Sequence, residues 1–240
     1  RRVGQSEHTM NTADYLLAAG GDDRPALIAN KVTYTYRDVR TASTRLAAEL
    51  LAAGVQPTDR VGIFGNNSVF WLAAYLATLK LGAIAVPFAT ALTVDAIRDM
   101  QAFVGCKIIC AEQRIYRRFA GAFAETQPVI FDDVLSGPGA TDWPAASPID
   151  PHSDAAFMFT SGTTARPRAV RITHRNIQAN TDSIIEYLAL TEDERIGVIL
   201  PFYYCFGTSL LHTHLRVGGT LVVSNQFVYP ETTLDLMEAT

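Results

Sequence analysis

VFWLAAYLATLKLGAIAVPF, residues Val69 to Phe88, is the longest apolar stretch of the chain, and its reading decides the fold. Its length is that of a bilayer span. Lys80, Gly82 and Pro87 interrupt it, and the pattern changes at Gly82. A buried helix over Val69 to Leu81 and a buried strand over Ala83 to Pro87 account for those interruptions, and a membrane span does not.

The same alternation extends in both directions. Upstream, Thr35 stands three residues before Asp38, the spacing of a capping box. Val39, Ala42, Leu46 and Leu50 then recur at helical spacing, and Gly54 closes that helix. VGIF (Val61 to Phe64) reads as a strand, and Gly65-Asn66-Asn67-Ser68 turns the chain into the helix at Val69. Downstream come a helix over Val94 to Phe103, a strand KIICA (Lys107 to Ala111), a helix over Gln113 to Phe123 and a strand PVIF (Pro128 to Phe131). Ser136 to Asp154 is rich in Gly, Pro, Ser and Asp and reads as a linker. A second run follows: strands AAFMF (Ala155 to Phe159) and AVRIT (Ala169 to Thr173), a helix over His174 to Leu190, strand IGVIL (Ile196 to Leu200), a helix over Phe206 to Leu215 and strand TLVV (Thr220 to Val223). Continuous apolar strands alternating with helices predict an α/β fold of mostly parallel sheets with helices on both faces. The expected organisation is a first α/β subdomain over 10–135, a linker over 136–154 and the start of a second α/β subdomain over 155–240.

Of the 240 residues, 48% are hydrophobic, 18% charged and 10% aromatic, a globular composition. A net charge of -4 and a pI near 5.7 supply no field that would draw in nucleic acid or an anionic membrane. Three cysteines, Cys106, Cys110 and Cys205, are too few for a disulfide framework and point to a reducing compartment, most simply the cytoplasm. Cys106 and Cys110 lack redox-pair spacing and read as buried small hydrophobes. Arg1-Arg2 has no apolar segment behind it, so no signal peptide is expected, and residues 1–9 read as a remnant ahead of a native start at Met10. Asn66-Asn67-Ser68 matches a glycosylation acceptor, a chance match without a secretory signal. At the other end, Pro230 to Thr240 begins like a helix and meets no stop signal, as expected of a fragment.

Chemistry concentrates in FTSGTTARPRAVRIT, residues Phe159 to Thr173, a polar run hung between two strands. Thr160, Ser161, Thr163 and Thr164 offer four hydroxyls, Gly162 lets the backbone approach a ligand closely, and Arg166 and Arg168 add positive charge. The physical target is a phosphate chain. A Walker-type loop needs GxxxxGK[ST], which is absent, and so is the dinucleotide fingerprint GxGxxG. The competing reading is a Thr-rich surface turn.

TSGTTARPRAV resembles the phosphate-binding signature of the adenylate-forming superfamily, usually written TSGTTGxPKGV. That superfamily includes acyl-CoA and aryl-CoA ligases, luciferases and the adenylation domains of peptide synthetases. The likeness covers nearly the whole chain: the Gly-Val-x-x-x-Asp-x-Val turn at Gly54 to Val61, the Lys-x-Gly-Ala…Val-Pro segment at Lys80 to Pro87, THRNI at Thr173 to Ile177, and LPFYYCFG at Leu200 to Gly207. The resemblance implies activation of a small carboxylic acid by ATP, with Mg²⁺, followed by transfer to a thiol of CoA or of carrier-protein pantetheine. By the same resemblance Thr160, Ser161, Gly162, Thr163, Thr164 and Arg168 would hold the ATP phosphates. Tyr204, Phe202 and Gly207 would belong to the acyl and nucleotide pocket. For Tyr204 the alternative is a core tyrosine near a sheet edge. His212 and His214 stand two apart on a helix, on different faces, which disfavours a shared metal, and His174 is expected to cap or buttress the helix that follows the loop.

Three positions depart from the signature. Ala165 replaces a glycine, which would strain a left-handed backbone there, Ala169 replaces another glycine, and Arg168 replaces lysine with a forked, bulkier cation. The YGxTE segment, the ribose-holding Asp and the C-terminal catalytic lysine of the family are expected in the missing C-terminal part of the protein, so these 240 residues alone should not adenylate. Three functions stay open: the N-terminal part of a carboxylic acid:CoA ligase, an adenylation enzyme that loads an acyl carrier protein, or a degenerate homologue that binds nucleotide or a partner without chemistry.

Overall fold

The computed structural model describes residues 10–136, 142–145, 149–160 and 167–225. Helix α1 (Thr12–Leu17) comes first, capped by Asn11, whose side chain accepts from the Ala13 N–H. Strands β1 (Pro25–Ala29) and β2 (Val32–Thr35) form a hairpin, with Asn30 and Lys31 at φ 51° and 64° in its turn. That left-handed pair matches the twist of two-residue hairpins. The expected capping box then starts α2 (Tyr36–Ala52): Thr35 accepts from the Asp38 N–H, and Asp38 accepts from the Thr35 N–H. Gly54, at φ 77°, follows its end.

Strand and helix alternate from there as β3 (Arg60–Phe64), α3 (Val69–Lys80), β4 (Ile84–Pro87), α4 (Val94–Val104), β5 (Ile108–Ala111), α5 (Gln113–Phe119) and β6 (Val129–Phe131). The long apolar stretch is therefore helix, turn and strand, broken at Gly82 with φ 67°. Every residue of α3 from Phe70 to Lys80 is buried. The buried Lys80 side chain is paired there with Asp14, donating to both of its carboxylate oxygens at 2.7 and 2.8 Å. No helix among the described residues is long and apolar enough to cross a membrane. The chain continues through β7 (Asp154–Phe159), β8 (Ala169–Thr173), α6 (His174–Leu188), β9 (Arg195–Val198), α7 (Cys205–Val217) and β10 (Thr220–Val223). The helix expected from Pro230 lies outside the described residues.

Two sheets result, in the orders β6-β5-β3-β4-β7-β8 and β2-β1-β10-β9, parallel throughout except at the outer strands β8 and β2. The mostly parallel α/β fold is as expected, but the division placed at 136–154 does not separate the sheets. β7 joins β4 in the six-stranded sheet through Ala85 and Ala156, and β1 joins β10 through Leu27–Leu221 and its neighbours. Both exchanges have one cause: AAFMF and PALIA are apolar strands that need a partner on an edge and cover on both faces. One core runs through both sheets, with Trp71, Leu72 and Leu76 of α3 packed among Leu46, Leu50, Val198, Leu211 and Leu221. A second, aromatic-rich core covers the other face of the six-stranded sheet, built from Phe64, Phe88, Ile97, Ile109, Phe119 and Phe123.

Candidate functional site

The carboxyl ends of the parallel strands carry the polar segments the sequence singled out, and this is the edge where open α/β sheets bind ligands. β3 ends in Gly65 to Ser68, β4 in Phe88 to Thr90, β7 in Thr160, and β9 leads into Leu200 to Tyr204.

β7 and β8 are antiparallel, so the signature residues connect two paired strand ends. Phe159 faces Ala169, and the Thr160 N–H donates to the Arg168 carbonyl at 3.1 Å, one rung beyond the ladder. The Phe159 ring lies 6.0 Å from that of Phe88, seating the hairpin on the end of β4. Thr160 and Arg168 are both exposed at its base. Ser161, Gly162, Thr163 and Thr164 lie outside the described residues, as does Ala165. Arg168, just before β8, makes no ion pair among the described residues, whereas Arg171 within β8 is paired with Asp154 at 2.9 Å. Ala169 sits in β8 and is not among the described residues with positive φ. Its methyl is compatible with extended backbone.

The second segment, Leu200 to Tyr204, lies between β9 and α7. Tyr204 is 43% exposed, precedes the first turn of α7 and packs edge-on against Tyr203 at 4.7 Å. Tyr203 is buried and hydrogen-bonded to Thr90 at the end of β4; burial pushes its phenol up, and the Thr90 bond pulls it down. Phe202 turns inward. It is fully buried, its ring 5.2 Å from that of Trp71. Gly207 contributes by lacking a side chain: a Cβ there would stand 2.2 Å from the Pro201 carbonyl oxygen.

Residues that sequence reasoning passed over hold this edge together. Asn67, 3% exposed, donates from Nδ2 to the Leu200 carbonyl at 3.0 Å and accepts the Phe202 N–H at Oδ1 at 2.7 Å. Its own carbonyl accepts from Asn225 Nδ2, just beyond β10, at 2.9 Å. Glu112, at the end of β5, accepts from the Ser68 hydroxyl at 2.7 Å and the Asn66 N–H at 3.3 Å, and burial pushes its carboxyl up. The Asn66 N–H, the Asn67 side chain and the Ser68 hydroxyl of the apparent glycosylation triplet thus fix a turn. Its only signal in the sequence is a run of turn residues between a strand and a helix.

Three histidines, His174, His212 and His214, serve packing. His174 is buried behind the Thr173–Asn176 capping box and bonds the Thr12 hydroxyl through Nδ1 at 2.8 Å, so it buttresses α6 while Thr173 caps it. Burial lowers it to about 4. His212 faces the Tyr75 hydroxyl at 2.8 Å and falls to about 3 for the same reason, and His214 bonds the Leu210 carbonyl at 2.9 Å. Among the described residues, no three of His, Cys, Asp and Glu cluster to hold a metal ion. Cys106 and Cys110 are buried, their thiols pushed up to about 12, in keeping with their reading as small hydrophobes. A cavity of about 700 Å³ opens between α2, the β1–β2 turn and the starts of α3 and α5, and none of the expected site residues that are described lines it.

This fold and edge match known proteins. The family model described as "AMP-binding enzyme" matches residues 17–240. The chain is 31% identical over 237 residues to the 3-[(3aS,4S,7aS)-7a-methyl-1,5-dioxo-octahydro-1H-inden-4-yl]propanoyl:CoA ligase of Mycobacterium tuberculosis, covering 90% of this chain and 45% of the ligase. It is 33% identical over 207 residues to phosphinothricin tripeptide synthetase PhsC of Streptomyces viridochromogenes, covering 84% of this chain and 18% of the synthetase. The crystal structure of ATP-bound MatB from Rhodopseudomonas palustris superposes with a TM-score of 0.84 at 26% identity, covering 95% of this chain and 47% of MatB. The chain therefore spans about half, or less, of the length of these relatives. With its family match running from residue 17 to the last residue, the chain belongs to the AMP-binding enzymes of the adenylate-forming superfamily.

Proposed function

We propose that this chain is the phosphate-holding part of an enzyme that joins a carboxylic acid to AMP and passes the acyl group to a thiol. One observation carries the reading: the two ends of the signature, Thr160 and Arg168, are paired at the strand carboxyl edge, which also carries the segment bearing Tyr204. A carboxylate oxygen attacks the α-phosphorus of ATP, the bond to the bridging oxygen breaks, and pyrophosphate leaves with that electron pair. A thiol then attacks the acyl carbon, AMP departs, and the thiol proton is released. The first step brings anions together, so fixed donors and cations supply most of the acceleration.

In this reading Thr160, Ser161, Gly162, Thr163 and Thr164 cradle the β- and γ-phosphates. Arg168, exposed and without an ion-pair partner among the described residues, binds phosphate oxygens as a fork. Tyr204 stands where acyl group and nucleotide meet, and Gly207 lets α7 start close enough to hold it there. Mg²⁺ arrives with ATP as the counter-ion of the substrate; the described residues contain no ligand cluster for it, and none is assigned. The acceptor thiol is CoA, with carrier-protein pantetheine as the second reading, favoured by the 33% identity to a peptide synthetase. Turnover belongs to the longest natural form of the protein, and the 240-residue chain alone is expected to be inactive.

Hydroxylamine trapping tests this. A panel of carboxylic acids incubated with that protein, Mg-ATP and hydroxylamine should yield the hydroxamate of one acid class, with AMP as the nucleotide product. Formation of ADP, or tight Mg-ATP binding with no hydroxamate from any acid, would refute it.

A further inference from the structure

Asn67 is buried, yet its side-chain amide spends both its donor and its acceptor on backbone more than a hundred residues away in the sequence. Leu200 offers a carbonyl that can only accept, and Phe202 an N–H that can only donate, so a single amide orientation fits. The two bonds bracket Pro201, whose carbonyl accepts the Tyr204 N–H at 3.1 Å and blocks any Cβ at Gly207. On its other side the turn is gripped by Glu112, through Ser68 and Asn66, and Asn225 ties the Asn67 carbonyl to the end of β10. A single residue therefore joins the carboxyl ends of β3, β9 and β10. The segment it fixes leads to Tyr204, which is exposed at the start of α7.

We propose that Asn67 is a positioning residue for carboxylic-acid activation, setting the place of Tyr204 through the backbone of Leu200 to Phe202. The inference rests on the adenylation reading above. Asn67 touches no substrate in this role. Its loss leaves the partly buried Leu200 carbonyl and the buried Phe202 N–H without this partner, and the segment moves to find water for the N–H. The signature hairpin is anchored separately, on β4 and β7, and makes no bond to Asn67 among the described residues. The effect is therefore selective: the acid should be held less well, and ATP almost as before.

Asn67→Ala and the isosteric Asn67→Asp test it in the longest natural form of the protein. Asp keeps the acceptor for Phe202 and sets a carboxylate oxygen against the Leu200 carbonyl. Val39→Ala, a core truncation in α2, serves as the stability control. Both Asn67 variants should raise KM for the acid about tenfold or more while KM for ATP stays within about twofold. The Phe202 amide should exchange hydrogen about tenfold faster in the Ala variant, with β3 amides unchanged. Val39→Ala should lower Tm without the KM split. Faster exchange with an unchanged KM for the acid would reduce Asn67 to a purely structural clamp and overturn the proposal. Unchanged exchange would overturn it as well. If the parent protein forms no acyl-adenylate with any acid, the adenylation reading falls, and the exchange measurement still decides whether Asn67 fixes the segment.

Discussion

Two histidines buried in the neutral state should make this fold acid-sensitive well above the range where carboxylates titrate. His174 falls from 6.5 to about 4 and His212 from 6.5 to about 3, in both cases chiefly because burial penalises the cation. Asp150 and Asp154 partly offset this at His174, whose Nε2 is buried without a partner among the described residues. A depressed folded-state pKa means that the unfolded chain binds protons first. The stability due to each histidine is therefore complete above about pH 6.5 and declines as pH falls toward the folded value. By pH 5 the unfolded form is mostly protonated at both sites and the folded form at neither, so each site costs about 2 kcal/mol. Together they remove about 4 kcal/mol, a large part of a typical domain's 5–15 kcal/mol. Urea unfolding at pH 7.5 and pH 5, followed by the fluorescence of buried Trp71, measures the loss. His174→Asn can still accept from Thr12, and His212→Gln can still meet Tyr75. Each should shrink the pH-dependent loss by about 2 kcal/mol relative to the parent. Subtraction cancels every other titrating group, including Glu112, whose raised pKa acts in the opposite direction. Equal losses in the parent and both variants would refute the argument.

Two further outcomes follow from packing. Gly207→Ala sets a methyl against the Pro201 carbonyl and should destabilise the protein by about 1–3 kcal/mol, visible as a lowered Tm and weakened acid binding; an unchanged Tm would show that α7 has room the structure does not indicate. A thiol reagent at pH 8 should modify one cysteine of the native chain, the exposed Cys205, and all three after denaturation, because Cys106 and Cys110 are buried with thiols near 12.

Local chemistry was readable where it is local. Gly82 and Pro87 announced the break between α3 and β4, and the Thr35–Asp38 spacing announced the start of α2. The β1–β2 hairpin was missed because its strands are only five and four residues long and its turn is Asn-Lys in place of a glycine pair. The exchange of strands between the sheets was not legible either. Leu27 finds its partner at Leu221, and nothing near either residue specifies the other. The candidate site divides in the same way. Hydroxyls and arginines marked the hairpin that ends at Thr160 and Arg168, and an aromatic run marked Leu200 to Tyr204. Within that run, which ring turns inward was decided by Trp71, so Phe202 and Tyr204 could not be told apart. Asn67 read only as the middle of an apparent glycosylation triplet, because its meaning lies in partners supplied by the far end of the chain.

Pyrophosphate exchange into ATP isolates the first half-reaction and needs no acceptor thiol. On the longest natural form of the protein, the account predicts exchange that depends on one class of carboxylic acid and falls about tenfold or more in Arg168→Ala, as loss of a charge-assisted phosphate contact requires. Exchange that ignores the acid, or that survives Arg168→Ala undiminished, would contradict it.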